Sequence, residues 1–407
     1  MDTLLGVFRS SVQSMPLSFF ISIFILTSSI SSSWLSSRLD KFDLIVHDFA
    51  STGRGLRTLR PRFPGDVVIS VPEIDAVTVT SLLDRFPDVL GRAATKQTDK
   101  KLSDEQVMAM GLLLLRDEGN QYALSLPERQ YSVLDIPHAI LHCMPRAYQN
   151  VILAYQNHVS ELHVSLNDVL DSKVSLDDFR WAFATVRSRC VGVGDEVDTR
   201  VMASGQKRVM LPAFDILNHK FGAKAVLLHS LEDHSYVLRS NDAFGEGEQV
   251  YISYGETRDN LKMLMTYGFC VPRNPNALVF FDVQDLLHAC SLARPAYFPE
   301  PVQQAMHGLM KKLGKERDLY EFDGSCHKPS RSLQVGLEMM ADIEKQFLEE
   351  PDHSFAREVL KALVYARIQE VGDRLMMVNQ IHDDIEVGWR PFIDSIRTLL
   401  WSELEFL

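Results

Sequence analysis

Leu211-Pro212-Ala213-Phe214-Asp215-Ile216-Leu217-Asn218-His219 is the stretch whose reading decides the fold. It is answered downstream by Gly245-Glu246-Gly247-Glu248-Gln249-Val250-Tyr251-Ile252-Ser253-Tyr254-Gly255. Asp215, Asn218 and His219 are set among apolar residues, so this is not a solvated loop. A buried Asn or His left without a hydrogen-bond partner costs about 1–3 kcal/mol. Such a pair serves a tight backbone crossing or a polar ligand, and the residues alone leave both open. Gly245–Glu248 is a turn signal. Val250, Ile252 and Tyr254 then share one face of a short predicted strand that Gly255 ends. Thr257 is the expected N-cap of a helix carrying Leu261, Leu264 and Met265, and Gly268 fits the position that stops it. Tyr267 and Phe269 flank that glycine.

Two further blocks accompany this one: Gly53-Arg54-Gly55-Leu56, and Phe179-Arg180-Trp181-Ala182-Phe183-Ala184-Thr185-Val186-Arg187-Ser188-Arg189. In this order the three resemble the SET-domain methyltransferases. The second block is similar to the F-x-W-A…V-x-S-R signature of their Rubisco large-subunit methyltransferase-like branch. The resemblance covers about residues 45–285. It implies an α+β fold: a SET domain of short strands closed by a pseudoknot, split by a helical insertion and followed by an all-α C-terminal domain. The corresponding expectation is a SET domain over residues 34–283, with the insertion at about 80–200, and a helical domain over 284–407 resembling the branch's substrate-binding region.

The patterns along the chain agree with that order. Val46–Pro72 reads as short strands, with a turn at Gly53–Gly55. Leu102–Arg116 has helical spacing, as do Tyr148, Val151, Ile152, Tyr155, Val159 and Leu162. Ser175 to Asp178 resembles a capping box. Val226–Leu228 and Tyr236–Leu238 flank a polar turn and predict a hairpin. Leu333, Leu337, Met340 and Phe347 form one apolar stripe and Phe355, Val359, Leu363, Val371 and Leu375 another. Residues 10–37 carry no charge, Leu17–Leu26 is strongly apolar and a serine-rich run follows. Over residues 1–33 a targeting peptide, a membrane anchor and a plain extension compete. Cytoplasm, nucleus and an organelle such as the plastid therefore all stay open.

A chain of 407 residues exceeds one typical core, so two or three domains are expected. Net charge of −12 argues against holding nucleic acid by bulk electrostatics. It suits a basic substrate segment, and equally a solvated acidic surface. The five cysteines form no Cys-x-x-Cys pair, so reduced thiols and no zinc site are predicted.

The resemblance implies S-adenosylmethionine as cofactor and a protein substrate with an accessible lysine: a histone, or another nuclear, cytoplasmic or plastid protein. A monomer is expected. Tyr254 carries over as the catalytic phenol; the alternative is an ordinary strand-end tyrosine. Asn218 and His219 carry over as cofactor-binding residues, or as a purely structural clamp. Thr52, Gly53 and Arg54 match the cofactor loop, although the branch often has an acidic residue where Thr52 stands. Ser188 and Arg189 match a cofactor- and substrate-facing pair, and an arginine suits a carboxylate because it donates a planar fork; a surface ion pair is the alternative for Arg189. Asp215 lines the substrate side or braces the Asn-His loop. Tyr267 and Phe269 match channel aromatics on the substrate and cofactor sides respectively, or are generic core. Two other readings remain: a protein-histidine methyltransferase of the same branch, and a catalytically silent SET scaffold that binds a partner.

Overall fold

The computed structural model describes residues 32–96, 102–170, 174–193, 207–296, parts of 298–308, 319–345 apart from 325, 354–381 and 385–407. Residues 1–33, over which a targeting peptide, a membrane anchor and a plain extension compete, lie up to residue 31 outside the described residues. No described helix is long and apolar enough to cross a membrane.

The chain forms two compact units. The first comprises the residues up to Leu90, Ser103–Gln130 and Arg189–Glu256; the second comprises Gly91–Leu102, Tyr131–Ser188 and Thr257–Leu407. The helical stretch of about 80–200 is therefore divided between them, its Ser103–Gln130 part packing with the strands.

The first unit opens with helix α1, Ser32–Leu39, followed by the antiparallel pair β1, Leu44–Phe49, and β2, Gly53–Thr58. Gly53 starts β2 with φ +68°, so the turn precedes it. Strand β3, Val67–Pro72, pairs with β9, Ser235–Ser240, which pairs with β8, Ala225–Ser230. The β8–β9 hairpin is the predicted one, turning between Ser230 and Ser235. A second three-stranded sheet joins β4, Val77–Thr78, β6, Lys207–Met210, and β5, Val191–Val193. Leu44, Leu56, Val68, Leu211, Leu217 and Val250 lie in one buried core.

Helices α2, Val79–Arg85, and α3, Asp104–Asp117, both begin with reciprocal caps, Thr78 with Ser81 and Ser103 with Gln106. Each satisfies backbone donors that a helix start leaves open. At Gly111 of α3 an added Cβ would stand 2.4 Å from Leu82 Cδ1, so the absence of a side chain there lets α2 pack close.

The decisive pairing is parallel and two residues long. In it β7, Asn218–His219, lies beside β10, Tyr251–Ile252, with Asn218 opposite Tyr251 and His219 opposite Ile252. The strand expected over Val250–Tyr254 is shortened to that pair. After Ile252 accepts from Lys220 N–H at 3.0 Å, the Ser253 hydroxyl accepts from Gly255 N–H at 3.2 Å and turns the chain.

In the second unit α4 spans Arg146–Leu166, and α5, Leu176–Arg189, belongs to it up to Ser188. The Ser175 hydroxyl accepts from Asp178 N–H at 3.0 Å, as the capping pattern predicts. Helix α6, Asn260–Tyr267, is capped by Asp259 rather than Thr257, because the Asp259 carboxylate accepts from Lys262 N–H at 2.9 Å. Gly268 ends it at φ +79° with its N–H on Leu264 O.

Helices α7, Val283–Ala293, α8, Arg331–Lys345, α9, Phe355–Gln380, and α10, Arg390–Phe406, complete the helical region. Leu333, Leu337, Met340, Phe355, Val359 and Leu363 are buried together, as the stripes require; Phe347 lies outside the described residues. The stripes did not reveal a small antiparallel sheet of β11, Leu278–Phe281, β12, Tyr320–Asp323, and β13, Lys328–Pro329. Arg367 sits buried on α9. It reaches Glu403 at 3.3 Å, Asp285 at 3.2 Å and Glu370 at 3.2 Å, and donates to Phe280 O at 2.7 Å.

Candidate active site

Eight of the predicted residues fall in the first unit: Thr52, Gly53, Arg54, Arg189, Asp215, Asn218, His219 and Tyr254. The β7–β10 pair brings the Asn-His and Tyr-Gly segments side by side. His219 Nδ1 accepts the backbone N–H of Tyr254 at 3.0 Å. The two rings stack with centroids 5.3 Å apart. The Tyr254 hydroxyl donates to Leu217 O at 2.6 Å. Backbone and phenol of Tyr254 are thus both fixed from the Leu217–His219 segment.

Asn218 grips the first block. Its Nδ2 donates to Arg54 O at 3.0 Å and to Thr52 O at 3.4 Å. The side-chain donors expected to face a cofactor are therefore taken up by the loop. The Thr52 hydroxyl donates to Gln249 Oε1 at 2.8 Å. Gln249 is buried, and its Nε2 has no partner among the described residues. Between these two amides lies Gly55, where a Cβ would stand 2.4 Å from Gln249 Nε2 and 2.7 Å from Asn218 Nδ2. Only glycine lets the backbone approach so closely.

Arg189 and Asp215 form an ion pair, with Nη1 2.9 Å from Oδ2, and only 8% and 5% of their side chains exposed. The surface ion pair held open by the sequence is in fact a buried one. Arg189 Nη1 also donates to Asp215 O at 3.1 Å. The Tyr122 hydroxyl adds a third contact, 3.3 Å from Asp215 Oδ2. Burial, and then the Asp215 charge, push the Tyr122 phenol well above its ordinary pKa, so it stays a donor. Arg54 is half-buried beside this cluster, and burial followed by the nearby Arg189 charge lowers its pKa.

Ser188, Tyr267 and Phe269 belong to the second unit. Ser188 turns its hydroxyl back onto its own helix, donating to Ala184 O at 2.8 Å. Tyr267 and Phe269 place their ring centroids 6.0 Å apart on either side of Gly268, and Arg258 lies over the Tyr267 ring. Among the described residues no group of three or more His, Cys, Asp or Glu could hold a metal ion.

Tyr122 and Gln249 were missed from the sequence. Tyr122 follows Asn120, which caps a short helix, Gln121–Ser125, and nothing local marks it as a partner of Asp215. Gln249 could have been noticed as the one uncharged polar residue between the Gly-Glu turn and the strand.

No family model matches the chain. It is similar to SET domain-containing protein 4 of Homo sapiens, 23% identical over 405 residues, covering 91% of this chain and 87% of that protein. SET domain-containing protein 4 of Artemia parthenogenetica is 24% identical over 276 residues, covering 65% and 68%. Among solved structures, the SET domain of LSMT bound to lysine and AdoHcy superposes with a TM-score of 0.60 at 15% identity, covering 93% of this chain and 91% of that one. The fold is accordingly that of a SET domain with a C-terminal helical region.

Proposed function

The chain is a SET-domain protein of the Rubisco large-subunit methyltransferase-like branch, and from that premise we propose that it transfers a methyl group from S-adenosylmethionine to the Nζ of a lysine in a protein substrate. The observation that carries this reading is the placement of Tyr254: its backbone is tied to His219 and its hydroxyl to Leu217 O. The LSMT relative, solved with lysine and AdoHcy, lends the reading its cofactor and its amine.

S-adenosylmethionine supplies an activated methyl group; the protein supplies geometry and electrostatics. The backbone of Thr52–Gly55, drawn in by Asn218 and closed against Gln249, suits a ligand that needs close backbone approach. A lysine must be neutral to attack. With an ordinary pKa of about 10.4, that costs about 4.6 kcal/mol at pH 7, a cost that apolar and aromatic surroundings lower. The Tyr254 hydroxyl has its proton directed to Leu217 O, which gives its oxygen the acceptor role towards an amine N–H and aims the nitrogen lone pair. The Asp215–Arg189–Tyr122 cluster braces the segment that ends in Leu217 and Asn218. The net charge of −12 suits a basic substrate segment, and the helices after Thr257 are assigned to holding the substrate protein.

The test is a cell lysate incubated with the enzyme and isotopically labelled S-adenosylmethionine, read by mass spectrometry. Label on lysine Nζ is expected. Label on histidine would replace lysine with imidazole as the acceptor, and no protein label at all would leave a silent scaffold.

A further inference from the structure

Helix α1 enters the core of the first unit through Leu35 and Leu39, which are 5% and 1% exposed. Trp34 on the same helix stays half-buried at the margin of that core, so it is not what anchors α1. Its ring is held all the same. The Arg38 guanidinium lies 3.9 Å from the ring centroid, a cation–π contact. Both carboxylate oxygens of Asp75 accept from Arg38 Nη2 at 3.0 Å and fix that cation. The Trp34 ring in turn packs on Tyr122, with centroids 6.4 Å apart. Tyr122 is buried, and its hydroxyl shares Asp215 Oδ2 with Arg189, at 3.3 Å against 2.9 Å for the guanidinium. An O–H···O bond is ordinarily about 2.5–3.0 Å long, so the phenol is at the end of its reach and depends on what holds its ring. Asp215 lies in the Phe214–Ile216 turn. The residue after that turn is Leu217, whose N–H returns to Phe214 O at 3.1 Å and whose carbonyl takes the Tyr254 hydroxyl at 2.6 Å.

We infer that Trp34 is a positioning residue for methyl transfer: through the Tyr122 ring it sets the Asp215 turn, and through that turn the carbonyl that orients the Tyr254 phenol. This rests on the proposed methyltransferase reading and deepens it. The support of the site thereby extends to a helix that contributes no group to the chemistry. The route ends on the Tyr254 oxygen, so its loss falls on the rate and not on affinity for the methyl donor.

The experiment measures rates of label transfer from isotopically labelled S-adenosylmethionine, at varied concentration, to the proteins of a cell lysate. It compares the full chain with Trp34→Leu, Trp34→Phe, Tyr122→Phe and the double variant Trp34→Leu, Tyr122→Phe. Leu39→Ala, which empties the same core from the far end of α1, is the control for lost stability. Trp34→Leu keeps apolar bulk and removes the ring, so the maximal rate should fall about tenfold while the KM for S-adenosylmethionine holds. Trp34→Phe should recover most of that loss. In the Tyr122→Phe background, Trp34→Leu should cost less than about twofold more, because the bond it serves is already gone. Leu39→Ala should lower the melting temperature at least as far as Trp34→Leu and keep the rate within about threefold of the parent. Losses that multiply in the double variant, or a rate lost equally in Leu39→Ala, would overturn the inference. A parent chain that transfers no label would overturn the methyltransferase reading, and the inference with it.

Discussion

The backbone N–H of Tyr254 donates to Nδ1 of His219 at 3.0 Å, and the two rings stack at 5.3 Å. A donor at Nδ1 makes that nitrogen the acceptor, so neutral His219 carries its proton on Nε2. The imidazole acts here on the main chain of the tyrosine and not on its hydroxyl, which Leu217 O takes instead. The phenol is held as a hydrogen-bond donor.

Tyr254→Phe tests that arrangement. The ring, the stacking and the main-chain bond to His219 survive; only the oxygen is lost. If that oxygen acts mainly in the transition state, kcat should fall about 10²–10³-fold, about 2.7–4 kcal/mol. The KM for either substrate should barely move. Steady-state kinetics at saturating cofactor checks this, and turnover within about threefold of the parent would leave Tyr254 a strand-end residue.

Asn218→Ala removes the donor that draws Thr52 O and Arg54 O inward. The loop loses its tether while the β7–β10 backbone pairing remains. Affinity for S-adenosylmethionine should weaken more than tenfold, about 1.4 kcal/mol, in a calorimetric titration of a protein with an unchanged circular dichroism spectrum.

Gly55→Ala sets a methyl 2.4 Å from Gln249 Nε2 and 2.7 Å from Asn218 Nδ2. Both amides must retreat, and the Thr52 to Gln249 bond goes with them. Cofactor binding should be lost even where the protein still folds. The double variant Gly55→Ala, Gln249→Ala should regain part of it, because the nearer clash is gone.

Arg367 is the stabilising centre of the helical region. Burial raises the Glu403 carboxyl above its ordinary pKa, and the Arg367 charge opposes that rise. A raised carboxylate contributes stability that is full below its unfolded pKa and lost as pH climbs through the folded value. As pH rises and the buried carboxylate ionises, that contribution is lost and the charge comes to depend on Arg367. Arg367→Met strands that charge and should cost about 3–5 kcal/mol at neutral pH, with a smaller loss in mildly acidic buffer. Urea unfolding at two pH values reads the difference.

The thiols offer a simpler measurement. Burial pushes Cys190 up to about 12, and Cys143, Cys270 and Cys290 are buried while Cys326 is exposed. A native thiol titration at pH 8 should read one fast group, removed by Cys326→Ser, with the other four appearing only on unfolding.

Much of this was legible in the sequence because it is encoded over short distances. The β8–β9 hairpin, the Ser175 cap, the stop at Gly268 and the two apolar stripes each declare themselves within about twenty residues. The Asn-His and Tyr-Gly segments were legible as motifs. What escaped the sequence was who answers whom. Asp215 meets Tyr122 and Arg189, and Thr52 meets Gln249, across long separations that no local period reports. Asp259 displaced Thr257 as a cap because a carboxylate two residues later accepts the helix's first free donors. The small sheet β11–β13 was hidden because its β12 and β13 strands are too short to alternate visibly.

The parallel bridge of β7 and β10 also bears on how the protein folds. Two residue pairs cannot by themselves repay the closure of the long loop between His219 and Tyr251. The β8–β9 hairpin lies inside that loop, and once formed it shortens the span that must be closed. Being local, the hairpin is expected to form before the bridge that brings together Asn218, His219 and Tyr254. Competence to bind the methyl donor is then expected late in folding, so ligand binding during refolding should report completion of the native state and not the collapse that precedes it.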